Sequence, residues 1–424
     1  MINLLSKIFK NKDSKNSYFE DFKNLNKKTN IEKIFHLISN FSETSEIRYV
    51  GGSIRKIINR EVVDDIDLAT TINPLEVCEI LKKNSISFYE SGIDHGTVTA
   101  KIDDYKFEIT TLRKDISTDG RHAEVEFSKD WHEDASRRDF TFNAIYADLH
   151  GNLYDPFNGR EDLELGNVKF IGDPEKRIKE DYLRILRYVR FFLNYSKVDH
   201  DVNLKKIIKQ NINGISKISS DRLLDELKKL LLSSGFLKIA KDEFCQEIVR
   251  LIFPQLINLS IFKNINDYSK NIIEKKDFIF LVSLMIIDET DNSEYFIYKY
   301  NISNDDKKRI RFLSNIFSNN LDKNTFKEKE LWKILYYNGK EYLNDVINFK
   351  IFKNKKVDKN LIKLKKFFSN QDPPKINIKA STLIDKFNYK EGKELGKKLK
   401  EIEDFWVENS FKISDQELKK IVNN

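Results

Sequence analysis

Apolar positions in this chain follow two rhythms, and the change comes near Gly172. Between residues 46 and 150 short apolar runs alternate with polar positions and end at turn residues, the two-residue period of strands that bury one face. The runs predict strands at 47–50, 62–69, 97–102, 106–111 and 142–148, with Asp103-Asp104 turning the middle two into a hairpin. The stretch DGRHAEVEFSKDW, residues 119–131, is polar and turn-rich and reads as a mobile loop near the site. Beyond Gly172, glycine and proline thin out and helical spacing takes over. EDYLRILRYVRFFL, DRLLDELKKLL and DFIFLVSLMII read as helices, the last apolar enough to be core. The cluster Asn370-Gln371-Asp372-Pro373-Pro374 sets off a final lysine-rich helical segment. The fold class that follows is α+β: a small mixed sheet, then an all-α remainder.

Two polar positions stand out against this pattern. Asp65 and Asp67, in VVDDIDLAT, fall two apart in a predicted strand, so both carboxylates leave one face, roughly 7 Å apart. Hard oxygen ligands so spaced suit Mg²⁺, which binds one or two carboxylates together with substrate phosphates. Asp-x-Asp alone also describes a solvated acidic turn, so the neighbours decide. Upstream, RYVGGSIRKII is a short strand, then Gly51-Gly52-Ser53, then a helix carrying Arg55. Paired glycines admit a phosphate close to the backbone, and a helix N-terminus with an arginine adds donors to it. Downstream, Glu108 in FEITTLR lies on the face opposite Phe107 and Ile109. It is read either as a third catalytic carboxylate, ligand or general base, or as the counter-charge of Arg113 or Arg138.

The motifs GGSIR, DIDLAT, FEITTLR, SRRDFTFNAI, YDPFNGREDL and EDYLRILRYVRF follow one another in the order and spacing of a known family. Over residues 46 to 230 the chain resembles the class II tRNA nucleotidyltransferases and bacterial poly(A) polymerases. The resemblance implies five segments: an N-terminal extension at 1–30, a nucleotidyltransferase head at 31–170, a base-reading helical neck at 171–235, a helical body at 236–370 and a tRNA-binding tail at 371–424. It implies nucleotide contacts from Gly51, Gly52, Ser53, Arg55, Arg138, Asp139 and Asn143, with Asp139 and Asn143 on the ribose. It carries base recognition onto Asp181 and Arg184, expected three residues apart on one helix face, and nucleotide or phosphate contact onto Arg187 and Arg190. Cytosine and adenine share an amino donor beside a ring acceptor, which one carboxylate and one guanidinium can read together. Guanine and uracil reverse that polarity and leave both protein groups badly paired. ISSDRLLDEL resembles the family's neck-supporting motif, with Asp221, Arg222 and Glu226 structural. The chain departs from the family pattern at Lys56, where Asp is usual, and at Asp64, where Lys is frequent.

The family divides between CCA addition, partial addition and poly(A) synthesis. DHGTVT and the segment FEITTLRKDISTDGRHAEVEF are similar to those of full CCA-adding members, which implies CTP, ATP and tRNA as substrates. Poly(A) synthesis or partial addition is the alternative, and a non-catalytic RNA-binding protein the reading from another class. Composition adds little: a net charge of +7 favours a polyanionic partner, but lysine is abundant throughout. Cys78 and Cys245 lie far apart without zinc-type spacing, which argues against a disulfide framework or structural metal and fits a reducing cytoplasm. No apolar run reaches membrane-spanning length, and no stable protein partner is expected. MINLLSKIFKNK is too short and broken for a signal peptide and reads as a frayed helix.

Overall fold

The computed structural model describes residues 17–63, 65–118, 123–263, 265–275, 277–318, 325–354 and 356–423. The opening MINLLSKIFKNK, Asp64 and the tip of the expected loop, 119–122, lie outside them. The chain divides into two compact units, Met1–Ile252 and Phe253–Asn424.

The first unit begins with α1 (Ser17–Thr29) and α2 (Glu32–Ser39). Its sheet-forming part follows as β1 (Ile47–Val50), α3 (Gly52–Ile58), β2 (Ile66–Thr70), α4 (Pro74–Lys83), β3 (Ser87–Gly92), β4 (Thr97–Ile102) and β5 (Tyr105–Thr111). β6 (Arg113–Thr118), β7 (Ala123–Phe127), α5 (Trp131–Ser136), β8 (Tyr146–Ala147), β9 (Leu153–Tyr154) and α6 (Gly159–Leu165) complete it. Seven strands form one mixed sheet in the order β3-β4-β5-β2-β1-β8-β9, and β6 with β7 forms a separate hairpin. β2 and β5 run parallel, while the other sheet neighbours are antiparallel. One face buries Tyr49, Leu68, Phe107 and Ile109. Phe22 of α1 and Phe35 of α2 lie against Tyr49. The other face packs Val50, Ala69, Leu112, Trp131, Ala144, Tyr146 and Ile171 at one end of the sheet. At the other end of that face the polar side chains of β2 and β5 come to the surface.

Three expected elements differ. The strand predicted at 62–69 begins only at Ile66, so Asp65 stands just before it. The strand predicted at 142–148 is reduced to Tyr146–Ala147, because Thr141–Asn143 forms a 3₁₀ turn. That turn frees Thr141 to donate to Asp162 and Asn143 to donate to Asp139, polar demands that a pleated strand would leave unmet. The expected loop after residue 118 instead pairs back on β6 through β7, with Arg113 opposite Phe127.

The helical remainder of this unit is α7 (Pro174–Glu180), α8 (Leu183–Tyr195), α9 (Val202–Asn211), α10 (Ser220–Leu231) and α11 (Glu243–Ile252). α8 buries Leu186, Tyr188, Val189, Phe191 and Leu193, which leaves Arg184, Arg187 and Arg190 aligned on its polar side. The second unit is helical. Phe278–Ile286 is buried along its length, and Glu328–Lys353 kinks at Gly339, whose φ of 85° favours glycine. After the turn at 370–374, the helices Ala380–Phe387, Lys393–Glu408 and Asp415–Asn423 close on a small core of Leu383, Leu395, Ile402, Leu418 and Val422. Among the described residues, no helix is long and apolar enough to cross a membrane.

Candidate active site

The parallel pairing of β2 with β5 sets Asp67 directly opposite Glu108. Alternation holds Ile66, Leu68, Phe107 and Ile109 in the core, so both carboxylates rise from the other face. Asp65, just upstream, is exposed. Burial pushes the Asp67 carboxyl up to about 6, helped by the charges of Glu108 and Asp65 and opposed by Arg138 and Arg55. Neither Asp67 nor Glu108 forms a hydrogen bond or ion pair with its side chain among the described residues. Of the two arginines named for the counter-charge reading of Glu108, Arg138 is paired with Asp134.

The glycine turn is built against this edge. Gly51 has φ +64°, and a side chain there would meet Asn143 O at 3.4 Å and Arg138 Nη1 at 3.6 Å. A Cβ on Gly52 would stand 3.5 Å from Asp67 Oδ2. Backbone N–H groups at the head of α3 therefore share a wall with the carboxylates. Ser53, expected in the cradle, is fully buried and its hydroxyl donates to Val50 O at 3.2 Å, so only its backbone is available there.

Arg55 does not simply reach into the cradle as its position in the first turn implied. Its Nη1 donates to Asn143 Oδ1, its Nε donates to Tyr195 Oη at 3.2 Å, and its guanidinium lies over Phe191 at 4.7 Å. Nη2 is left beside Gly52, 3.8 Å from where a Cβ would be. Arg138 is anchored by Asp134 (Nη2 to Oδ2, 2.9 Å) and Tyr146 (Nε to Oη, 3.1 Å). Although burial opposes it, Arg138 and Arg137 hold the Asp134 carboxyl well below the usual carboxylate range.

A relay of buried polar groups continues into the helices. Asn143 Nδ2 donates to Asp139 Oδ1 at 2.8 Å, and Arg187 Nε donates to Asp139 Oδ2 at 2.6 Å. Arg190 Nε donates to Glu226, which is buried. Burial opposes the ionisation of Asp139, yet Arg187, Asn143 and Arg184 together keep its carboxyl well below the ordinary range. Arg187 and Arg190, expected on the nucleotide or its phosphates, thus spend charge on protein carboxylates.

Asp181 departs most from expectation. It is not on a helix with Arg184: α7 ends at Glu180, and Asp181 is extended at φ −152°, ψ 103°. Its Oδ1 accepts from Leu183 N at 3.1 Å, the local cap that a short acidic side chain makes at a helix start. Its Oδ2 accepts from Arg222 Nη2 at 2.7 Å. Arg184 turns to other partners: Nη1 donates to Glu180 at 2.7 Å and to Arg177 O at 2.8 Å, and Nη2 donates to Arg137 O at 3.2 Å. Arg177 pairs with the same Glu180 oxygen at 2.5 Å and also donates to the carbonyls of Arg137 and Arg138. Four contributors were therefore missed in the sequence: Asp134, Tyr146, Arg177 and Glu180. Asp134 carried a faint signal, three and four residues before the arginine pair on a helical segment. Arg177 and Glu180 showed only a local helical pair, and what ties Arg177 to the site, its bonds to the carbonyls of Arg137 and Arg138, joins distant segments.

Residues 47–169 match the family described as the poly A polymerase head domain. The chain is 45% identical over 198 residues to the mitochondrial CCA tRNA nucleotidyltransferase 1 of Homo sapiens, covering 45% of either protein. Against the protein of the same name from Danio rerio it is 30% identical over 403 residues, covering 88% of this chain and 86% of that one. The fold is similar to the crystal structure of the Bacillus stearothermophilus CCA-adding enzyme in complex with CTP, with a TM-score of 0.64, 20% identity and coverage of 89% and 93%.

Proposed function

We propose, from the premise that this chain belongs to the CCA-adding tRNA nucleotidyltransferase family, that it builds the CCA end of tRNA from CTP and ATP without a nucleic-acid template. The observation that carries the reading is Asp67 in register with Glu108, with Gly52 against the Asp67 carboxylate. A binding module would gain nothing from these unpaired carboxylates, which repel a polyanion.

The donor set fits a divalent cation. Asp67 is a desolvated carboxylate with acidic neighbours, so a cation would relieve the electrostatics that raise it. Oxygen-only ligands beside a triphosphate cradle favour Mg²⁺, held by Asp65 and Asp67. Mg²⁺ would supply charge neutralisation on the attacking and leaving oxygens.

The protein's own part is positioning. The Gly51–Gly52 turn and the α3 N–H groups hold the triphosphate, Arg138 Nη1 and Arg55 Nη2 face it from either side of the turn, and Asp139 with Asn143 receives the ribose. The 3′-oxygen of the tRNA attacks the α-phosphorus, the bond to the bridging oxygen breaks, and pyrophosphate leaves. Glu108 takes the hydroxyl proton or completes the acidic cluster, and Glu108→Gln separates the two, since a general base alone loses its dependence on pH. Asp181 accepts the amino group shared by cytosine and adenine, while Arg184 donates to the adjacent ring nitrogen. Glu180 and Arg177 orient Arg184, and Arg222 orients Asp181.

The free, buried Cys78 and Cys245 support a reducing compartment, taken here as the cytoplasm. The decisive experiment supplies tRNA lacking its terminal triplet with labelled CTP and ATP. Three residues in the order C, C, A are expected, and long adenylate tails would replace this reading with poly(A) synthesis.

A further inference from the structure

Away from the nucleotide site, His200 meets Asp242 and Cys245, two side chains more than forty residues further along the chain, in the helical part of the first unit. His200 lies between α8 and α9, Asp242 caps the start of α11, and Cys245 sits in its first turn. Their ligand atoms all lie within 4.8 Å of one another, the one such group of three among the described residues. His200 Nε2 is 3.0 Å from Asp242 Oδ2 and 3.7 Å from Cys245 Sγ.

The imidazole is held in place from every side. It stacks on Phe192, ring centroids 3.5 Å apart and 13° from parallel, and meets Phe244 edge-on at 4.8 Å. Nδ1 lies 2.9 Å from Tyr188 Oη. When Nδ1–H donates to that oxygen, the Nε2 lone pair points at the carboxylate and the sulfur, the arrangement in which an outer partner orients a ligating histidine. Asp242 is fixed in turn, because its Oδ1 accepts Cys245 N–H at 2.8 Å.

In that tautomer the space between a lone pair, a carboxylate and a sulfur is one for a positive charge, whereas in the other Nε2–H donates to Asp242 and the Tyr188 hydroxyl donates to Nδ1. A proton suffices for the histidine and aspartate alone. Nitrogen, oxygen and sulfur together suit Zn²⁺, and Mg²⁺ and Ca²⁺ take oxygen. A tetrahedral zinc with ligands at about 2.0–2.3 Å separates those ligands by roughly 3.3–3.7 Å, within a few tenths of an ångström of the Nε2 distances here. The sulfur is fully buried, while the Asp242 side chain keeps 20% of its surface exposed. The carboxylate is thus the member of the cluster that most meets solvent.

We propose that His200, Asp242 and Cys245 form a Zn²⁺ site that braces the C-terminal end of α8 against α11. The helix so braced carries Arg184, Arg187 and Arg190 at its other end and along its length.

The full-length protein, stripped by chelator and kept in excess Mg²⁺ to occupy hard-oxygen sites, is titrated with Co²⁺ alone. A single equivalent should give tetrahedral visible bands and a near-ultraviolet thiolate-to-cobalt band, both removed by Zn²⁺. Cys245→Ser should lose the thiolate band, His200→Ala should lose the tetrahedral bands, and Zn²⁺ should raise the melting temperature of the stripped wild type but of neither variant. Absence of the thiolate band overturns the site, as does a melting temperature in the wild type that Zn²⁺ does not change. Should Cys245→Ser fail to fold by circular dichroism, Asp242→Asn answers in its place: an unchanged cobalt spectrum in a folded Asp242→Asn protein removes Asp242 from the ligand set and overturns the proposal.

Discussion

Two groups of carboxylates in the first unit have opposite surroundings. Asp67 and Glu108 stand on adjacent strands without side-chain partners, and Asp67 is pushed up to about 6. Asp134, Asp139 and Glu226 are more deeply buried, yet each is met by arginine, and Asp134 and Asp139 are held well below the usual range. Asp67 is only half-buried and Glu108 is exposed, yet it is Asp67 that is pushed up while the deeper Asp134 and Asp139 are held down, so depth of burial does not set the direction. What differs is whether the fold supplies the positive charge or leaves it to a ligand. The first arrangement stores reactivity at some cost to stability, and the second fixes geometry.

The largest test of this contrast is Asp67→Asn. CTP incorporation should fall by about 10³-fold or more, while the metal-free protein melts higher than wild type. Activity within tenfold of wild type would remove Asp67 from the chemistry. Next in size, Arg187→Ala strands Asp139 in the interior and should cost about 3 kcal/mol in urea unfolding. Adding Asp139→Ala should recover part of that loss, and no recovery would mean that the pair is not coupled. A smaller effect is expected at Glu180→Gln, which loosens Arg184 without touching substrate. Discrimination of CTP and ATP against UTP and GTP should fall roughly tenfold, with overall stability nearly unchanged; an equal loss for all four nucleotides would make Glu180 merely structural.

The smallest effect is a pH dependence. In the metal-free folded protein Asp67 holds its proton up to about pH 6, whereas the unfolded chain releases it near 3.8. The folded state binds more protons in between, so Asp67 lowers stability as pH rises from about 4 to 6, and the loss persists above that. Asp67→Asn lacks the decline. The two proteins should melt alike below about pH 4 and differ by on the order of 1–2 kcal/mol at pH 7, with a divalent cation narrowing the gap.

How much of this was legible in the sequence depends on the range of each interaction. The Asp67 and Glu108 faces followed from period-two alternation, and the Asp103-Asp104 hairpin is present with Ile102 opposite Tyr105. Local competition misled at Asp181, where the expected helix ran through a residue that the backbone uses as a cap. Identity without partnership was readable for Arg55, Arg187 and Arg190. Their partners are Asn143, Asp139 and Glu226, contacts between distant segments that no periodicity encodes. The meeting of His200 with Asp242 and Cys245 is of the same kind, which is why the cysteine spacing argued against a metal there.

The parallel alignment of β2 with β5 also has a meaning for the growing polypeptide. Residues 67 and 108 are joined through α4 and the β3–β4 hairpin, so their contact closes late relative to the local turns that precede it. A slip of one residue would turn Glu108 inward and Phe107 outward, which the core forbids. An unfinished or misaligned head therefore does not set Glu108 beside Asp67. The apolar positions that build the core thus also fix which carboxylate stands beside Asp67.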